Sequence, residues 1–167
     1  MLRAAEDAGV EQRIIATVVE VNDARKAAMV DRVERALGGD LKGKRVGILG
    51  LTFKPNTDDM RDAPSIPLVK GLVDRGAEVV AFDPVGREQA EPLLPAIIYA
   101  ATPEQVADQA DAIVVVTEWD EFRGLSLRDL GRRMRGDALL DLRNIYDPLE
   151  AERAGLRHFG IGRSRSA

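Results

Sequence analysis

Three stretches of the chain hold side chains whose type and spacing suit the binding of an anion. The first runs Thr52-Phe53-Lys54-Pro55-Asn56-Thr57-Asp58-Asp59-Met60-Arg61-Asp62-Ala63-Pro64-Ser65. It is too long and too charged for a plain strand-to-helix connection, which usually takes roughly 2–6 residues. Lys54 would meet a phosphate as a point charge, and Arg61 would clamp one with two parallel donors. A helix starting near Pro64 would add free amide N–H groups. The competing reading is a self-neutralised loop, in which Asp58, Asp59 and Asp62 balance both cations and Asp62 caps the helix. The second stretch is Asp141-Leu142-Arg143-Asn144-Ile145-Tyr146. There Arg143 is either a phosphate or sugar ligand or the partner of Asp141 or Asp147. The third is Thr117-Glu118-Trp119-Asp120-Glu121-Phe122. Trp119 can stack on a ring or close the end of a sheet, and the second use is the commoner one.

Other groups read as structural. Arg128, Arg132, Arg133 and Arg135 make a basic helix face that suits solvent better than nucleic acid in an acidic chain. His158 lies late, in a weak strand. Asn22 falls inside an apolar helical arc, where it would satisfy a buried backbone group or fix helix pairing. Gly47-Ile48-Leu49-Gly50 sits within a strand and lacks the third glycine of a dinucleotide turn. A phospho-acceptor receiver domain would want Asp83 and Thr117 at strand ends, but Arg143 stands where its lysine belongs.

Positioning these residues requires an alternation of strands and helices. Apolar runs at Lys44–Leu51, Glu78–Phe82, Ile97–Ala101, Ala112–Thr117, Ala138–Leu142 and Leu156–Gly160 read as six strands. Helical spacing fills Pro64–Arg75, Arg87–Leu94, Pro103–Ala110, Leu127–Arg135 and Pro148–Ala154. Strands apolar on both faces, separated by short helices, indicate a doubly wound, mostly parallel α/β sheet. Its ligands belong beyond the carboxyl ends of the strands. In front stands a long helix, with a break near Gly9 and a stop at Gly38-Gly39-Asp40. Its arc of Val10, Ile14, Val18, Val21 and Ala28, widened by Ile15, Val19, Met29, Val33 and Leu37, exceeds the stripe of an ordinary surface helix. Two coverings are open: its own domain alone, or its own domain and a partner subunit. The division expected is a helical arm at 1–40 and an α/β domain at 41–167, with a mobile tail from Arg163.

Composition narrows the classes. The chain has 167 residues, 45% hydrophobic and 31% charged, which excludes disordered and collagen-like chains. It has no cysteine, so it holds no disulfide, thiolate site or cysteine nucleophile of its own. One histidine excludes histidine-rich zinc sites. A net charge of −4 disfavours non-specific nucleic-acid binding. Apolar runs are too short for a membrane span, and no signal-peptide core precedes them, so a cytoplasmic location is expected.

The segments Gly50–Ser65, Val115–Phe122 and Asp141–Tyr146 together resemble the C-terminal domain of the UDP-glucose/GDP-mannose dehydrogenase family, in forms nearest to bacterial UDP-glucose 6-dehydrogenases. The long helix with Val21-Asn22 resembles that family's central dimerisation helix. The resemblance implies a Rossmann-like fold and oxidation of UDP-glucose to UDP-glucuronate by NAD in two steps, through a thiohemiacetal and a thioester on a cysteine. It implies substrate contacts from Phe53, Lys54 and Arg143, the last possibly across a subunit contact, and contact with NAD from Arg61. The family's cysteine segment, its catalytic lysine and asparagine and its glycine-rich turn are not in this sequence. The expectation is therefore a substrate-binding part that is inactive alone, with a missing N-terminal half as partner. The alternative is a free-standing nucleotide-sugar binding or assembly module without turnover. The sugar stays open, because GDP-mannose and N-acetylmannosamine relatives share the fold.

Overall fold

The structure is a computed structural model and describes residues 13–162. The expected break near Gly9 and the tail from Arg163 lie outside the described residues. Helix α1 (Arg13–Ala36) leads into strand β1 (Arg45–Leu49), then α2 (Ser65–Asp74), β2 (Glu78–Phe82), α3 (Arg87–Ala90) and β3 (Ile98–Tyr99). A 3₁₀ turn at Pro103–Ala107 precedes β4 (Ala112–Val115), α4 (Asp120–Arg123), α5 (Leu127–Arg133), β5 (Ala138–Asp141), α6 (Pro148–Arg153) and β6 (Arg157–Gly160). The strands form one sheet in the order β3-β2-β1-β4-β5-β6, and every pairing is parallel. The α/β, doubly wound, Rossmann-like expectation therefore holds.

Alternation along the strands divides the core in two. Val46, Ile48, Val79, Ala81, Val114 and Leu140 face one side, where Val30 and Val33 of α1 and Leu68 and Leu72 of α2 cover them. Leu49, Val80, Ile113, Val115 and Leu139 face the other, against Val106, Phe122, Leu127, Leu130 and Ala151. Both faces of the central strands are thus closed to water, as in a parallel sheet wrapped by its crossovers. Gly47 points to the second side, and a Cβ there would lie 2.3 Å from the Val106 carbonyl oxygen. Its lack of a side chain lets the 3₁₀ turn sit against β1, and has no connection with a pyrophosphate.

Only the last two turns of α1 belong to this core. Val30, Val33 and Ala36 are buried. Arg75 reaches from the end of α2 to Asp31 at 2.6 Å and also to Glu34, tying the two helices. Arg157 donates to the Ala36 carbonyl at 3.3 Å. Earlier residues leave the domain: Ile14 is 82% exposed, Val18 53% and Val21 50%. The domain therefore covers far less of the apolar arc than the arc's width implies. Asn22 is exposed too, so it satisfies no buried backbone group within the described residues. The helix stop is as expected, with Gly38 and Gly39 at φ 90° and 94°.

Candidate functional site

Strand order reverses between β1 and β4, because β1 is followed across the sheet by β2 and β4 by β5. Crossovers on the two sides of this point lie on opposite faces, so the loops beyond its carboxyl edge part and leave a crevice. The loop after β1 borders it on one side. Gly50, at φ 90°, turns the chain out of the strand, and a Cβ there would lie 2.6 Å from Thr117 Cβ. Thr117, just beyond β4, is fully buried and its Oγ1 donates to the Thr52 carbonyl at 2.9 Å. The floor of the crevice is thereby sewn across the switch point.

Phe53 and Lys54 follow at once on the rim, both exposed, and the Phe53 ring residue is 47% accessible. Lys54 makes no ion pair within 4 Å among the described residues. Arg143, just past β5, folds back over the end of β4. Its Nε donates to the Val116 carbonyl at 2.7 Å and lies 3.0 Å from Glu118 Oε2. The partners expected of it, Asp141 and Asp147, are otherwise engaged. Asp141 accepts the Arg143 backbone N–H at 3.2 Å, and Asp147 caps α6 through the N–H groups of Leu149 and Glu150. Only Nε of the guanidinium is occupied, and its terminal nitrogens make no hydrogen bond among the described residues. Lys54 and Arg143 are thus joined to one frame, through Thr52–Thr117 and Val116, with the Lys54 ammonium and the terminal N–H groups of the Glu118-paired Arg143 left for a ligand.

Arg61 belongs elsewhere. Its guanidinium donates twice to Asp59, Nε at 3.0 Å to one oxygen and Nη2 at 2.8 Å to the other. The Arg61 hydrogen bonds, from side chain and backbone, draw the Asp59 carboxyl down to about 2. This pair is the self-neutralised half of the loop. The Arg61 side chain remains 90% exposed. It lines a groove of about 730 Å³ with Thr57, Asp58, Met60, Gln89 and Leu93. Asp62 does not cap α2: it takes a left-handed φ of 56°, and Pro64 begins the helix with no side-chain cap. Instead the buried Ser65 hydroxyl donates back to the Leu51 carbonyl, binding the helix start to the loop start.

Two carboxylates escaped notice as supports of this site. Asp83, at the end of β2, accepts the N–H groups of Leu51 and Thr52 at 2.7 and 3.1 Å. Asp141, at the end of β5, accepts Tyr146 N–H at 2.8 Å and lies 3.5 Å from His158 Nε2. Burial alone would raise Asp141; His158 and the backbone N–H groups of Tyr146, Ile145 and Arg143 outweigh it and hold the carboxyl below its ordinary range. His158 is structural, as expected. Trp119 is 7% exposed and packs in the second core cluster, so it closes the sheet end. Of the basic face at Arg128, Arg132, Arg133 and Arg135, three arginines are paired: Arg132 with Asp129, Arg133 with Asp108 and Arg135 with Asp111.

Comparison with known proteins agrees with this geometry. Residues 47–148 match the UDP-glucose/GDP-mannose dehydrogenase family, UDP binding domain. A UDP-glucose 6-dehydrogenase of Rhizobium meliloti (strain 1021) is 46% identical over 163 residues, covering 98% of this chain and 37% of the relative. A UDP-glucose dehydrogenase structure from Pyrobaculum islandicum superposes with a TM-score of 0.80 at 32% identity, over 98% of this chain and 35% of that one. A structure of NDP-N-acetyl-D-galactosaminuronic acid dehydrogenase from Methanosarcina mazei Go1 gives 0.80 at 28% identity, over 92% and 32%. This chain spans about a third of the length of these relatives. With the matched segment running from the middle of β1 to the start of α6, and with the switch-point crevice inside it, the chain belongs to the UDP-glucose/GDP-mannose dehydrogenase family and carries its UDP-binding domain.

Proposed function

We propose that this chain is the nucleotide-sugar-binding part of an NAD-dependent dehydrogenase that oxidises UDP-glucose to UDP-glucuronate. The observation that carries the reading is the pair of incompletely used cations, Lys54 and Arg143, held on one frame at the strand-order switch point. Lys54 is the point charge and Arg143 the fork for the ligand's oxygens, while the half-exposed Phe53 offers a ring surface to the nucleotide or sugar. The UDP-glucose 6-dehydrogenases among the relatives support glucose as the sugar.

NAD accepts hydride when it is bound to such an enzyme. The residues present here fit it at one edge only: Arg61 offers an exposed guanidinium, while Gly47 and Gly50 serve packing and form no phosphate cradle. The role of Arg61 is therefore to hold a phosphate of a cofactor seated mainly on other residues. The chain has no cysteine, so no thiol of its own attacks the oxidised sugar. Turnover accordingly requires residues outside these 167, which favours a partner half and keeps a binding module without turnover as the second reading. The division into an arm at 1–40 and a binding domain at 41–167, pairing of two copies through the exposed apolar face of α1, and a cytoplasmic location complete the proposal. Among the described residues no helix is long and apolar enough to cross a membrane.

Titration calorimetry with UDP-glucose, beside an assay of NAD reduction, tests this reading. Binding without NADH formation is expected. Turnover by the pure chain overturns the assignment of inactivity, and absence of binding overturns the site.

A further inference from the structure

We propose that Asp83 is a positioning residue: one buried carboxylate that sets the loop carrying Phe53 and Lys54, and thereby the affinity for nucleotide. Its effect on affinity rests on the nucleotide-sugar reading above; its hold on the loop does not.

The carboxylate is 7% exposed and takes five donors. Oδ2 accepts Leu51 N–H at 2.7 Å and Thr52 N–H at 3.1 Å, and shares the single Thr52 hydroxyl proton, at 3.1 Å, with the Lys54 carbonyl at 3.2 Å. Oδ1 accepts Val85 N–H at 3.1 Å and Gly86 N–H at 2.7 Å. No cation lies within ion-pair distance of it among the described residues, so its charge is met by oriented N–H and O–H dipoles. The two oxygens face two different segments. One holds the exit of β1, a single residue before Phe53. The other holds the turn that launches α3.

That turn also grips the loop from its far limb. Gln89 of α3 donates to Asp58 at 3.0 Å, and Phe53 N–H donates to the Asp59 carbonyl at 2.8 Å, closing the two limbs on each other. The contact between turn and loop is tight: a Cβ on Gly86 would lie 2.3 Å from Thr52 Cγ2 and 3.0 Å from Asp83 Oδ1. Loss of the carboxylate would leave buried backbone donors at Leu51 and Thr52 without an acceptor, and the loop would shift to regain one. Lys54, two residues on, would move with it.

The test uses Asp83→Asn, which keeps the shape and places an amino group against one set of donors. UDP affinity should fall about tenfold when Lys54 is present and less than twofold in a Lys54→Ala background, since coupled residues are not additive. Exchange of the Phe53 amide hydrogen should quicken about tenfold or more while amides of β1 and β4 keep their rates. If Asp83→Asn does not fold, Thr52→Val removes the hydroxyl that Asp83 shares with the Lys54 carbonyl and leaves the charge in place. It should give a smaller loss of the same sign, again coupled to Lys54. Equal losses in both backgrounds, or unchanged Phe53 exchange in a folded variant, overturn the assignment. Faster Phe53 exchange, with no UDP affinity in the unsubstituted chain, upholds the hold on the loop and overturns the nucleotide reading alone.

Discussion

Arg143 and Arg61 show how one residue type does different work according to what its guanidinium already touches. Arg143 spends Nε on the end of β4 and keeps its terminal nitrogens. Removing it by Arg143→Ala should weaken UDP binding by about tenfold to a hundredfold, the scale of charge-assisted hydrogen bonds, and calorimetry reads this directly. Lys54→Ala should cost about tenfold. Arg61, by contrast, is saturated on one edge by Asp59. Arg61→Ala should leave UDP affinity within twofold and instead release Asp59. Asp59 titrates near 2 in the folded chain against an ordinary 3.8. Its depressed value contributes stability above the ordinary carboxylate range, and that contribution is lost as pH falls from about 3.8 through about 2. Carboxyl carbon NMR titration should find the Asp59 midpoint moving up toward 3.8 in Arg61→Ala.

At the level of elements, much of the arrangement was legible in the chain and some of it was not, for definite reasons. Strands buried on both faces announce themselves by unbroken apolar runs, so β1, β4 and β5 fall where the sequence places them to within a residue or two, and β2 and the half-buried edge strand β6 fall there too. The third strand covers only Ile98–Tyr99, where Ile98 is exposed and Tyr99 half-buried, so little apolar burial holds the rest of the segment to the sheet. Lys54, Arg61 and Arg143 could be picked out because charge in a long strand-end loop is conspicuous. Asp83 and Asp141 stood out only as a strand-end acidic group and as a partner for Arg143; their supporting roles could not be read, because their partners are set by which strands are neighbours, and order within a parallel sheet leaves no local mark. Asp62 has the composition of a helix cap, but its left-handed backbone aims it away from that use.

Glycines in elements supply a direct check on this packing. Gly47→Ala would push a methyl against the backbone of the 3₁₀ turn, which cannot rotate aside, and should destabilise the fold by about 1–3 kcal/mol or more. Gly71→Ala meets only the Val30 Cγ2 methyl, at 2.6 Å, on a side chain that can shift. It should lose less, partly offset by the better helix propensity of alanine. Urea midpoints at constant m-value would rank the two.

For the molecule as a whole, the outlying half of α1 is the feature that a lone domain does not account for. On the apolar face from Ile14 to Val21, Ile14 is 82% exposed, Val18 53%, Val19 42% and Val21 50%, with Ile15 half-buried. If copies pair through it, Ile14→Glu should convert a sedimenting dimer to monomer with the α/β domain still folded, because the position contributes nothing to the domain core. A single species of monomer mass in the unsubstituted chain would refute the pairing.

The sheet order also governs when the molecule can begin to exist. Arg45, opening the central strand, hydrogen-bonds to Asp111, 66 residues later. At ribosomal speeds of about 5–20 residues per second, roughly 3–13 s separate the emergence of the two. For the first half of that interval β1 has no partner at all, and once β2 (Glu78–Phe82) has followed it still has nothing on the other flank, an apolar ribbon with an open edge. The same architecture that opens a crevice for the ligand thus makes the nascent chain a client for whatever shields unpaired strands during synthesis.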